Sequence, residues 1–119
     1  MKVAEYHRQG LRHRVDAVPE GFVPLGAEAR EGAHRVAFYA QVADGRLARV
    51  VHTGSRRCRK LLALADAAAE RLEGQPAQGY RLTADELLAA FAEERDRAKM
   101  HARAALVLRA LGLDSGSAA

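Results

Sequence analysis

The one cysteine of this chain, Cys58, lies between Arg56 and Arg57 on one side and Arg59 and Lys60 on the other, just after Gly54-Ser55. An apolar helical pattern starts at the same point, so the sulfur is placed at a helix N-terminus. Flanking cations and the free N–H groups of a first helical turn both favour a thiolate, each worth ~0.3–1 kcal/mol at an exposed site. From Gly45 to Ala65 there is no Asp or Glu, while Arg46, Arg49, Arg56, Arg57, Arg59 and Lys60 all fall in that window. A structural cysteine has no need of such a field, whereas a persulfide, an anionic ligand or an acidic protein surface would be drawn to it.

The same basic stretch gives a competing reading, a module that meets nucleic-acid phosphates and loses affinity steeply with salt. Neither a helix-turn-helix signature nor an aromatic stacking platform accompanies it. Enzyme chemistry has less to rest on. The chain has no Gly-x-Ser-x-Gly elbow, phosphate-binding glycine loop or Cys-x-x-Cys pair, and it is read as a non-enzyme. Asp85-Glu86 and Glu93-Glu94 are explained by helix capping and a solvent face.

The elements that must position Cys58 are bounded by composition. The chain has 119 residues, 49% hydrophobic and 29% charged, which suits one compact domain, read as residues 1–113, with a short polar tail at 114–119 expected to be disordered. Aromatics are only 5% and tryptophan is absent, so the core must be built from Leu, Val and Ala. The net charge is +4. No apolar run approaches the ~20 residues of a membrane span, and Met1–Gly10 has no secretory h-region. A cytoplasmic location is the expectation, and a single cysteine, which cannot form an internal disulfide, agrees with it.

Met1–Arg14 suits either a first helix or an irregular arm. Pro19-Glu20-Gly21 is a turn signal, and residues 21–28 offer a first strand. In His34–Val42, Val36, Phe38, Ala40 and Val42 alternate with Arg35, Ala37, Tyr39 and Gln41, a strand pattern with one face inward. Asp44-Gly45 predicts a two-residue hairpin into a third strand over Leu47–His52. Ser55 is the candidate N-cap of a helix whose Leu61, Leu64, Ala65, Ala68 and Leu72 recur at helical spacing until Gly74. Thr83-Ala84-Asp85-Glu86 fits a capping box, and Met100, Ala104, Val107, Leu108 and Leu111 form the stripe of a last helix. Strands first and helices afterwards give an α+β domain, a small antiparallel sheet with helices packed on one face.

This order of segments, from about Gly32 to Leu111, resembles the iron–sulfur cluster assembly scaffolds of the IscU, SufU and NifU N-terminal type. The resemblance rests on Gly32-Ala33-His34 opening a strand, the Asp44-Gly45 turn, Cys58 at the family's second cysteine, Gly74 at the family's interval beyond it, and Lys99-Met100-His101-Ala102 at the start of the last helix. Lys99 and His101 match that third motif, while Ala102 stands for its cysteine, Gly32 for the first cysteine and His34 for the metal-site aspartate. Two of three thiolate ligands are therefore missing. Clusters are usually held by four thiolates, so one chain cannot build the ordinary site and a homodimer would bring only two sulfurs.

The resemblance implies that His34, Cys58 and His101 converge at one end of the sheet. One thiolate and two imidazoles would suit a single zinc or iron ion better than a cluster. It equally implies a diverged scaffold that accepts sulfur on Cys58, near Lys99, from a cysteine desulfurase, or that binds other parts of the assembly machinery.

Overall fold

The computed structural model describes residues 1–113, so the tail expected at 114–119 lies outside the described residues. A short helix α1 (Val3–Gln9) precedes three strands, β1 (Val23–Glu31), β2 (His34–Ala43) and β3 (Arg46–Gly54), and three further helices, α2 (Arg59–Leu72), α3 (Ala84–Ala89) and α4 (Arg97–Ala110). The strands form one antiparallel sheet in the order β1-β2-β3. This is the α+β arrangement that the sequence pattern predicts. No helix among the described residues is long and apolar enough to cross a membrane.

Both hairpins turn over two residues because the loop chemistry permits positive φ. Glu31 pairs with His34 across Gly32-Ala33, where Gly32 has φ +60°, and Ala43 pairs with Arg46 across Asp44-Gly45, where both φ are positive. Along β2, Val36, Phe38 and Ala40 turn inward as the alternation requires. Val42 does not. Gln41 pairs with Arg49 and Val42 with Leu47, so a bulge leaves Ala48 of β3 as the extra residue, and Val42 lies exposed beside it near the end of β2, against the expected inward position.

Helix α2 packs against β3, α4 packs against β1 and β2, and the two helices pack on each other. Their Leu61, Leu64, Leu72, Met100 and Leu108 join Phe38, Leu47 and Val50 of the sheet in one core, with Ala65, Ala68 and Ala104 allowing the close approach. Gly26 fixes part of that approach: its φ is +66°, and a Cβ there would overlap the Ala110 carbonyl oxygen of α4. The Thr83 capping box is present, with the Glu86 backbone N–H donating to Thr83 Oγ1 at 3.1 Å and the Thr83 backbone N–H to Glu86 Oε1 at 2.9 Å.

The N-terminal segment is tied down along its length. The Val3 N–H donates to Glu94 Oε1 at 2.7 Å, and Lys60 Nζ reaches the other oxygen of that carboxylate at 3.0 Å. Farther on, residues 13–15 run beside β3, where the His52 N–H donates to the His13 carbonyl at 2.9 Å and the Val15 N–H to the His52 carbonyl at 3.0 Å. They form a short parallel bridge at Arg14 along that edge.

Candidate functional site

Cys58 is the N-cap residue of α2, with extended backbone (φ −89°, ψ 98°) and no side-chain capping bond. The expected cap, Ser55, is engaged elsewhere. Its hydroxyl accepts from the Arg35 N–H at 2.8 Å and donates to the Ala33 carbonyl at 3.2 Å, stitching the β3–α2 junction to the start of β2. With Ser55 held in that turn, the chain enters α2 three residues later and Cys58 is left at the helix mouth. The side chain is half-buried: it packs against the core on one side and lines a cavity on the other.

That cavity, of about 620 Å³, is built from three regions of the chain. The first hairpin contributes Ala33 and His34, the junction and α2 contribute Ser55 to Lys60, and α4 contributes Lys99 and Arg103. The lining holds six cations, Arg56, Arg57, Arg59, Lys60, Lys99 and Arg103, and no carboxylate. Four of them have carboxylate partners outside the lining: Arg56 with Asp16 at 2.6 Å, Lys60 with Glu94 at 3.0 Å, Lys99 with Asp96 at 3.8 Å and Arg103 with Glu31 at 3.6 Å. Arg57 and Arg59 pair with no carboxylate among the described residues. A concave wall lined by one sign of charge focuses its field on the mouth and concentrates anions there.

The structure thus brings His34, Cys58, Lys99, Arg56 and Arg57 to one place and leaves His101 out. Helical geometry is the reason. Lys99 and Arg103 are four apart and share a face of α4, whereas His101, two residues from each, is turned roughly 200° away and is exposed. The expected convergence of three ligands therefore stops at two.

Arg103 replaces it, a residue for which the sequence offers only an ordinary helix-surface arginine. Its guanidinium donates to His34 Nε2 at 2.9 Å, which occupies the lone pair that a metal would need. No group of three His, Cys, Asp or Glu side chains among the described residues is arranged to hold a metal ion. With one sulfur donor, a committed imidazole nitrogen and six surrounding cations, these residues do not fit a resident zinc or iron ion or an iron–sulfur cluster.

The basic stretch read from the sequence is divided by the fold. Arg46 and Arg56 are separated by the length of β3, about 30 Å at ~3.3 Å per residue. Arg46 donates to the Gly74 carbonyl at 3.0 Å and Arg49 lies over the Phe22 ring, so neither belongs to the cavity. The nucleic-acid reading loses its continuous track, and the cavity draws its remaining charge from α4.

A second polar cluster escaped the sequence reading. Asp66 sits inside the apolar stripe of α2 and is 1% exposed, as is His52 on β3. His52 Nε2 donates to Asp66 Oδ1 at 2.9 Å, the His13 backbone N–H donates to the same oxygen at 2.8 Å, and the Tyr6 hydroxyl donates to Oδ2 at 3.0 Å. Burial alone would raise the Asp66 carboxyl, but the bonds from His52, His13 and Tyr6 outweigh it and hold it below its ordinary 3.8. Burial pushes His52 below 6.5 against the pull of Asp66, so a neutral imidazole donates to a carboxylate. An Asp at a position where the stripe calls for an apolar residue is the signal that could have found it. The cluster binds the N-terminal segment to α2 and β3, away from the cavity.

Comparison with protein-family models gives no match to the chain, and comparison with curated proteins gives none either.

Proposed function

We propose that this protein is a diverged relative of the iron–sulfur assembly scaffolds that receives sulfur on Cys58 and binds assembly partners without holding a cluster. The carrying observation is the half-buried Cys58 lining a cavity with six cations and no carboxylate. Such a lining suits an anionic sulfur species and opposes a cationic one. The strand order, the Gly32 hairpin beside Cys58 and the start of the last helix at the same cavity support the relationship.

The chemistry assigned to Cys58 is sulfur exchange. Its thiolate attacks the outer sulfur of a protein persulfide such as a cysteine desulfurase carries, a new S–S bond forms on Cys58, and the donor leaves as its own thiolate. The product persulfide is an anion, and the neighbouring cations stabilise it. Lys99 and Arg103 would face the incoming group, while His34 supports Arg103 rather than binding metal.

The test is a pull-down with a cysteine desulfurase followed by mass analysis of Cys58 after the desulfurase turns over cysteine. Capture with one sulfur atom added at Cys58, absent in Cys58→Ser, is the expected result. Absence of both capture and labelling overturns the reading.

A further inference from the structure

We propose that the cavity at Cys58 is a binding site for a small divalent oxyanion, and that thiosulfate is the class of ligand that lets Cys58 take sulfur without a protein donor. The second half rests on the sulfur-accepting reading above; the first half stands independently of it.

Arg103 carries the argument. Its side chain is only 13% exposed, and its one ion pair, to Glu31, is long at 3.6 Å. The contact to His34 uses one nitrogen of the guanidinium and a neutral acceptor. The buried Nε–H finds no acceptor among the described residues. The Nε atom is shut off from the cavity, so an oxyanion there is met by the terminal Nη–H groups that His34 leaves free, which suit tetrahedral oxyanions. Lys99, on the same face of α4, and Arg57, across the cavity and without a carboxylate partner among the described residues, supply further positive charge. A space of about 620 Å³ falls in the range of small-ligand sites and exceeds what one oxyanion fills, which leaves room for solvent or a leaving group.

The chemistry balances without an added oxidant. The Cys58 thiol first loses its proton to solvent. The thiolate then attacks the outer sulfur of thiosulfate, an S–S bond forms on Cys58, and the S–S bond of thiosulfate breaks. The bonding electron pair leaves with sulfite, so the total charge is unchanged and Cys58 ends as an anionic persulfide. Both the reactant and the leaving group are oxyanions that the same cations can hold.

Binding of sulfate and of thiosulfate to the full chain is measured by titration calorimetry in low-salt buffer free of phosphate, followed by intact mass after thiosulfate exposure. The expectation is that both anions bind, that Arg103→Gln weakens both by about tenfold or more, and that Arg57→Gln weakens them less. Cys58→Ser should bind both anions normally and gain no sulfur, while the natural chain gains one sulfur atom. Should Arg103→Gln fail to fold, Lys99→Gln, at an exposed position, serves in its place with the same expected direction. Failure of both anions to bind the natural chain, or unchanged binding in the Arg103 and Lys99 variants, overturns the oxyanion site. Normal anion binding with no sulfur gained overturns the thiosulfate step, and the desulfurase experiment then decides the protein-donor reading separately.

Discussion

His52 and Asp66 meet at 2.9 Å with both side chains 1% exposed, a neutral imidazole donating to a carboxylate beneath the sheet. Because the same carboxylate also accepts from His13 and Tyr6, its charge is shared among three segments of the chain. Asp66→Asn removes the charge and forces at least one donor to lose its acceptor. The expected cost is about 1–3 kcal/mol, read as a lower urea midpoint with an unchanged slope.

The same pair sets the direction of pH dependence. His52 is held below 6.5 in the fold, so the unfolded chain takes up that proton first and stability falls as pH drops from 6.5 toward the folded value. Asp66 is held below 3.8, so its contribution is complete above 3.8 and is lost as pH falls through the folded value. Urea midpoints should therefore decline in two stages on acidification. In His52→Gln the first stage should shrink, and a midpoint that falls equally in both proteins between pH 6.5 and 3.8 contradicts the assignment.

Gly26→Ala should destabilise by at least about 2 kcal/mol, combining the cost of positive φ with the overlap against the Ala110 carbonyl. Gly21→Ala makes the control. It also has positive φ, but nothing lies near the added methyl, so thermal melts should show a clearly smaller loss.

Thr83→Ala removes the acceptor for the Glu86 N–H and should cost about 1 kcal/mol. Amide exchange should quicken at the first turn of α3 while the protection of α2 is kept.

His101→Ala should leave sulfur uptake at Cys58 within about twofold, because an exposed side chain on the far face of α4 contributes little. Loss of uptake in that variant would restore His101 to the site and count against the arrangement described above.

Much of the architecture was readable because it is written in local periodicity. Val36, Phe38 and Ala40 alternate, Asp44-Gly45 turns, and Thr83 with Glu86 caps, each within a few residues. The site was only half readable. Cys58 and its flanking cations announce themselves, but Arg103 is 45 positions later and becomes a partner of His34 only when α4 docks on the sheet. Ser55 looks like a cap in the sequence because nothing local signals that the Arg35 N–H, 20 positions away, claims its hydroxyl. A short motif such as Lys99-x-His101 does not say which side of a helix faces a cavity, and here it is the side of Lys99 and Arg103.

The bridge at Arg14 has a bearing on solubility. By lying against β3, residues 13–15 occupy backbone groups that would otherwise offer a template for strands of other molecules. Trimming the chain beyond Val15 therefore uncovers a pairing edge and also strips two donors from Asp66. The shortened protein is expected to self-associate, visible as concentration-dependent light scattering, so a leading segment that also touches the turn before Cys58 doubles as a guard for the sheet edge.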